Sequence, residues 1–496
     1  MKIKTQTIHK YYLAHTKLIQ ILLFLFVFLF TFILRAHNYE KTPGIGHLEE
    51  QMFGWAGIYL IEEGTPVAWS SLNYPDRAEI FRGKIDYNGG QPEVHVRLYK
   101  PWLEQPPLYS LISGGSAHLF GANRHMVLPN AYIRFPTIII ATLTALMIFL
   151  IARLVSGFWT GLLAMFLYGS VPIFVFGSRL SVPENLIALF LMIMVYLLLK
   201  YQQAQQWQFV IWLPILAGLA GLSKPTGYFL MPLAAFYALR FLKWKHLAYI
   251  VLGVVPFILA YIWYGTYFDK EIFWFIQSRQ SLRPVGFADL GWFFISPAYD
   301  IFMLTDTWYI LCLMSAIFFI FKGEQGQKRL ILFALVFWLI IIMISGGETD
   351  VLPWYRYPAF PLLAIIGAWG IKYLFSNINF FSQLFTVSMF LGNFTLSTNP
   401  FRWSIPPMNF RIFFTSLVLP SVFLELYQKR WLINLTRAIM VLVFIIGVFW
   451  NIKYIYNQFE LSCENLACTQ GPTTKLSEVY FPIIHRLFVL DPPEKH

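Results

Sequence analysis

Apolar and polar residues fall along this chain in long blocks, with little fine alternation. An apolar run over 18–34 is followed by others near 135–152, 158–177, 185–199, 208–222, 226–241, 247–266, 303–321, 330–346, 354–373, 378–396, 410–427 and 433–455. A helix crosses the hydrocarbon core of a bilayer with roughly 20 apolar residues. The pattern therefore predicts an all-α polytopic membrane protein with about 13 transmembrane helices. The longest polar interval comes directly after the first run. It divides the chain into an N-terminal segment 1–17, a first transmembrane helix 18–34, a loop 35–132, a helix bundle 133–455 and a tail 456–496.

The loop carries its own pattern. Residues 48–63 (LEEQMFGWAGIYLIEE) space Met52, Phe53, Trp55, Ala56, Tyr59 and Leu60 at roughly helical intervals between acids. This predicts an amphipathic helix lying at the membrane surface, with Glu62 and Glu63 as its solvated end. Residues 66–100 are polar and punctuated by Gly and Pro, and read as mostly irregular. Residues 107–120 are apolar but too short and glycine-rich to span, and read as a second interfacial helix.

Composition agrees with the block pattern. The chain has 496 residues, is 57% hydrophobic and only 12% charged, about half the charge of a soluble domain. The net charge of +12 is scattered between apolar runs with no nucleic-acid motif, so it reads as membrane topology and not as nucleic-acid binding. Lys2, Lys4, Lys10 and Lys17 precede the first run and no cleavage site follows it, which predicts a retained anchor with a cytoplasmic N-terminus. Under alternation Arg153, Lys200, Arg240, Lys243, Lys245, Lys322, Lys328, Arg329, Lys372, Lys429 and Arg430 all fall on the cytoplasmic side, and loop 35–132 is extracytoplasmic. Cys312 lies in an apolar run and reads as a small buried hydrophobe, while a disulfide between Cys463 and Cys468 stays open.

Three groups of residues have candidate chemistry. Glu49 and Glu50 open the predicted loop helix and point about 100° apart, so one of them faces a shared site, or both simply favour the helix N-terminus in solvent. Glu104 sits on a rigid corner before Pro106 and Pro107, as a site acid or as an ordinary turn acid. Arg134, Arg179, Lys224 and Arg356 lie at extracytoplasmic ends of spans, where positive charge is disfavoured. One such residue can snorkel, but several on one face point to an anionic ligand such as phosphate. His47, His95 and His118 show no His-x-x-x-His spacing, so no metal site is assigned and a divalent metal stays open.

In order, Glu49-Glu50, Glu104-Gln105-Pro106-Pro107-Leu108, Arg134-Phe135-Pro136, Ser178-Arg179-Leu180 with Pro183-Glu184, Gly221-Leu222-Ser223-Lys224 and Tyr355-Arg356-Tyr357-Pro358 resemble the motifs of the GT-C superfamily of polyprenyl-phosphate-sugar glycosyltransferases. Protein O-mannosyltransferases and the aminoarabinose transferase that modifies lipid A are the members it looks most like. The family's Asp-Glu pair is here Glu49-Glu50, and its His before Pro-Pro is Gln105. The resemblance implies transfer of a sugar from a polyprenyl or dolichyl phosphate to an acceptor hydroxyl on the extracytoplasmic side, with inversion. It implies Glu49 as base, Glu50 in support and Glu104 orienting the acceptor or holding a metal. Arg356 and Lys224, with Arg179 and Arg134 behind them, are the implied phosphate-binding cations, and His47, Gln105 and Tyr355 the positioning residues. The membrane would be the plasma (inner) membrane in a prokaryote or the endoplasmic reticulum in a eukaryote. Sugar and acceptor (protein, lipid or glycan) stay undetermined. Two other classes compete, a flippase or transporter of lipid-linked glycans and an enzyme like the O-antigen ligases or polymerases. The scarcity of mid-span charge disfavours a permeation path.

Overall fold

The computed structural model describes residues 2–43, 48–85, 94–125, 127–240, 243–287, 307–322, 327–346, 352–398 and 406–465. Helices dominate. Among the described residues seven helices are long and apolar enough to cross a membrane, and four shorter apolar helices lie among them, so the chain is a multi-pass integral membrane protein.

Helix α1 (Lys2–Ala36) holds the first apolar run and stops as Asn38 turns left-handed at φ 50°. Helix α2 (Leu48–Glu63) follows. It does not lie on a surface with one face exposed: Met52, Phe53, Trp55, Ala56, Ile58 and Tyr59 are all buried. Its partner is α3 (Pro107–Leu119), which occupies the predicted second loop helix. The two backbones touch because the contact is made by glycines. A Cβ on Gly57 would stand 1.8 Å from the Ser110 carbonyl oxygen, and one on Gly114 would stand 2.4 Å from the Ile58 nitrogen. Glu62 and Glu63 close the exposed end of α2, where they pair with Arg124 at 3.2 and 2.9 Å and Glu63 also meets Lys100 at 2.7 Å.

The interval expected to be irregular contains an antiparallel sheet. Strands β1 (Ala68–Trp69), β2 (Glu79–Ile85) and β3 (Val94–Tyr99) lie in the order β1-β3-β2, with Ala68 opposite Tyr99 and Arg82 opposite Arg97. The strands are short and their outward positions charged, which hides them from a hydrophobicity reading.

The bundle starts with α4 (Asn130–Ser156). Several expected spans are broken. The run 158–177 divides at Pro172, which has no N–H to continue the ladder, into α5 (Phe158–Ser170) and α6 (Pro172–Gly177). Then come α7 (Pro183–Ala204), α8 (Trp207–Val210), α9 (Trp212–Ser223) and α10 (Leu230–Leu239). Helix α11 (Trp244–Ser281) runs well past the expected end at 266. It bends at Asp269, whose backbone is extended at φ −164° and ψ 107° and whose side chain accepts the Ile272 N–H at 2.9 Å to cap the next turn. The remaining helices described are α12 (Thr307–Lys322), α13 (Gln327–Ile344), α14 (Phe360–Ser376), α15 (Phe380–Thr398), α16 (Pro407–Tyr427) and α17 (Arg430–Asn465). His47 and Cys468 fall outside the described residues, as does most of the expected tail.

Two cores result. The larger joins α1, α4, α5, α7, α9 and α12 through α17. The smaller unites the loop (Phe53, Trp55, Trp102, Tyr109) with Ile272, Phe273 and Ile276 from beyond the α11 bend. The bend thus packs its distal part onto the loop.

Candidate active site

Adjacent glutamates on α2 go to different places. Glu50 is wholly buried in a two-pronged pair with Arg134 of α4, at 2.8 Å from Nε and 2.7 Å from Nη2. It also accepts the Ser181 N–H at 2.6 Å, while Arg134 donates to the carbonyls of Tyr39 and Pro43 at 2.8 and 3.1 Å. Arg179 donates to the carbonyls of Leu34, Arg35 and Thr42 at 2.6, 3.1 and 3.0 Å. The bonds to Leu34 and Arg35 satisfy carbonyls of the last turn of α1. Arg35 ties α1 to the far side of the same junction through Ser178 Oγ at 2.9 Å and the Tyr168 carbonyl at 2.5 Å. Glu50, Arg134 and Arg179 therefore clamp α1, α2, α4 and the turn before α7 together.

Glu49 is half-buried and points elsewhere. Its electrostatic neighbours are Lys224, Glu184, Glu104 and Arg283. Glu184 heads α7, and its Oε1 accepts from Lys224 Nζ at 2.5 Å. Lys224 follows α9 in extended backbone, held there by Pro225. Its ammonium sits 4.2 Å from the centre of the Tyr355 ring. Arg283, just beyond α11, donates to the Tyr355 hydroxyl at 3.0 Å. Glu104 is buried, accepts from Ser70 Oγ at 2.5 Å, and has its backbone carbonyl held by Gln280 at 2.8 Å. Arg356 is buried beside Tyr355 in the 3-10 turn Pro353–Ala359. Gln105 is buried next to Glu104, and its Oε1 has no hydrogen-bond partner among the described residues.

Three carboxylates thus face two cations. Burial pushes Glu49 up to about 8; Lys224 and Arg283 pull it down while Glu184 and Glu104 push it further up. Burial also raises Glu104, against the opposing effects of Ser70, Arg283 and Lys224. Burial alone would lower Lys224, but Glu184, Tyr355 and Glu49 outweigh it and raise it. The second oxygen of Glu184 is buried without a hydrogen-bond partner among the described residues, an arrangement costly enough to expect a ligand or water to relieve it. Ser70 also lines a polar cavity of about 380 Å³ with Trp69, Asn73, Arg82, Arg97 and Tyr99. Among the described residues no group of three or more His, Cys, Asp or Glu side chains is placed to hold a metal ion.

The sequence singled out Glu49, Glu104, Lys224 and Tyr355, and the structure brings them together. It sets Glu50, Arg134 and Arg179 into the adjoining clamp. Sequence reasoning passed over Arg283, Ser70 and Gln280, which have no motif around them. It also quoted Glu184 only as part of a motif, although a carboxylate opening a helix next to Pro183 was a readable signal.

A family model for dolichyl-phosphate-mannose-protein mannosyltransferase matches residues 104–264, which include Glu104, Arg134, Arg179, Glu184 and Lys224. An uncharacterized protein of Aquifex aeolicus is 27% identical over 296 residues, covering 57% of this chain and 54% of the relative, so the match spans about half the length of that protein. ArnT from Cupriavidus metallidurans bound to undecaprenyl phosphate superposes with a TM-score of 0.52 at 12% identity, over 92% of this chain and 80% of that one. The arabinosyltransferase EmbB from Mycobacterium smegmatis gives a TM-score of 0.51 at 13% identity, over 93% of this chain and 42% of that one. The chain shares the fold of these two solved proteins.

Proposed function

We propose that this chain is a membrane glycosyltransferase that moves a sugar from a polyprenyl or dolichyl phosphate to an acceptor hydroxyl, with Glu49 as the base. The observation that carries the reading is the half-buried Glu49 among Glu104, Glu184, Lys224 and Arg283, its acidity brought to about 8. A base near the working pH is the one general-base catalysis favours. The solved ArnT that shares the fold holds undecaprenyl phosphate, which supports a lipid-phosphate donor.

In the proposed reaction Glu49 takes the proton of the acceptor hydroxyl as its oxygen attacks the anomeric carbon. The bond from that carbon to the phosphate oxygen breaks, and the electron pair leaves with the lipid phosphate. This single displacement inverts the anomeric centre. Lys224, Arg283 and Arg356 stabilise the growing phosphate charge. Lys224 is prepared for this by Tyr355, whose ring lies under its ammonium and whose hydroxyl holds Arg283. Arg134 and Arg179 are assigned to the scaffold, because carbonyls and Glu50 occupy their donors. Glu104 and Gln105 position the acceptor, which enters through the polar cavity behind Ser70.

An extracytoplasmic site has support from the helices that meet it. Helices α4 and α7 carry Arg134 and Glu184 near their N-terminal ends and Arg153 and Lys200 near their C-terminal ends, and α14 begins after Arg356 and ends near Lys372. The basic ends lie opposite the site, which supports an extracytoplasmic site by the positive-inside rule. The test is transfer of labelled sugar from a polyprenyl-phosphate donor by the purified chain in detergent. The wild type is expected to turn over, and Glu49→Gln to lose about 10²–10⁴-fold with its thermal unfolding retained. Full activity in a folded Glu49→Gln protein removes Glu49 as base. Absence of transfer to any acceptor in native membranes, with intact lipid movement, favours the flippase.

A further inference from the structure

At the opposite end of the bundle, α5, α14 and α17 leave a slot of about 360 Å³ lined by Trp159, Leu163, Ile371, Phe375, Val441 and Phe444. Phe375 and Phe444 meet edge to face across it at 6.2 Å between ring centres. One cation, Lys372, stands in its lining. Its Nζ is 3.5 Å from the carbonyl of Ser156, the last residue of α4. The negative end of α4 lies beside the ammonium, and Arg153 lies on the same final turn. Glu425, at this same end, is occupied by the Phe380 N–H at 3.0 Å. Trp159 is 64% exposed at the slot's edge, the position of an interfacial indole.

We propose that this slot is a binding site for an acidic glycerophospholipid. An acyl chain lies along Leu163, Ile371, Phe375, Val441 and Phe444, and the phosphate meets Lys372 at the membrane interface beside Trp159. Charge complementarity decides the occupant: apolar walls alone would take any lipid, but a cation at the mouth beside a helix end selects an anionic headgroup. The slot is not the donor site under another description. Arg134 and Ser156 are 22 residues apart on α4, about 33 Å along the axis, which is the full hydrocarbon thickness. The proposal is independent of the reaction assigned to the other end.

The experiment uses the full chain, stripped of lipid in detergent, with phosphatidylglycerol or phosphatidylcholine of identical chains added back. Bound lipid is counted by native mass spectrometry and thermal unfolding is followed in parallel. Phosphatidylglycerol is expected to bind preferentially and raise the Tm, and Lys372→Gln to weaken that preference about fivefold, as removal of one interfacial lysine should. Lys372→Arg should restore it, and Lys429→Gln, which does not line the slot, should leave it intact. Equal binding of the two lipids overturns the proposal, as does an unchanged preference in Lys372→Gln. So does preferential uptake of a polyprenyl monophosphate at Lys372, or protection of Lys372 by a second copy of the chain without lipid.

Discussion

Glu49 and Glu50 show how a single step along a helix separates the candidate site from the scaffold beside it. Their side chains diverge by about 100°, and that angle sends Glu50 to Arg134 and Glu49 to Lys224, Glu184 and Glu104. Three predictions separate the roles. If Glu49 is the base it must be ionised to act, so transfer should rise with pH along a limb near 8 and the limb should vanish in Glu49→Gln. Its raised pKa also has a stability consequence. The folded chain holds this proton more tightly than the unfolded chain, so the stabilisation is complete below the ordinary carboxyl range and is lost as pH rises through about 8. Glu49→Gln should therefore lose less Tm than wild type between mildly acidic and alkaline buffer, and an equal loss in both would contradict the assignment. Glu50→Gln should act through the fold. It leaves Arg134 buried without its counter-charge, which costs about 3–5 kcal/mol, so Tm should fall at every pH. A Glu50→Gln protein of normal Tm and low activity would move Glu50 into the chemistry.

Among the elements, the α2–α3 pair governs where both glutamates stand. The sequence gives helical spacing for each, but their interface is set by Gly57 and Gly114, where backbones approach too closely for any Cβ. Gly57→Ala should push the helices apart. Overpacking of this kind costs about 1–3 kcal/mol, to be read as a lower Tm and as reduced transfer through a displaced Glu49. Wild-type Tm and activity in this variant would show that the contact yields without consequence. The helices of the loop were legible because apolar spacing extends over several turns. The sheet was not, because β1 has two residues and β2 alternates into Arg82 and Lys84. Nor was the bend at Asp269: an aspartate inside a helical pattern caps a new turn only once the distal part has a surface to pack on, here Leu103 and Glu104, reached by Gln277 at 3.4 Å and Gln280 at 2.8 Å.

For the whole molecule, the separation of Arg153, Lys200 and Lys372 from the site predicts an orientation. In a chain whose Cys312, Cys463 and Cys468 are replaced, Ser71→Cys should react with a membrane-impermeant thiol reagent in intact cells, and Lys372→Cys only after permeabilisation. The reverse pattern would turn the protein over and place the site inside.

The sequence by itself determined the membrane class and the elements that come from long apolar runs, because burial of apolar surface in lipid depends on local composition and length alone. It also determined which residue types were available for phosphate and proton chemistry, through motifs lying in order along the chain. Only the tertiary structure decided which of two adjacent acids meets Lys224 and Arg283, and that Arg134 and Arg179 serve carbonyls and Glu50 while Lys224 joins Arg283 around Tyr355. The reason is physical: a buried charge is governed by its partners. Those partners come from segments as far apart as Glu49, Glu184 and Arg283, whose meeting depends on helix packing that no local pattern records.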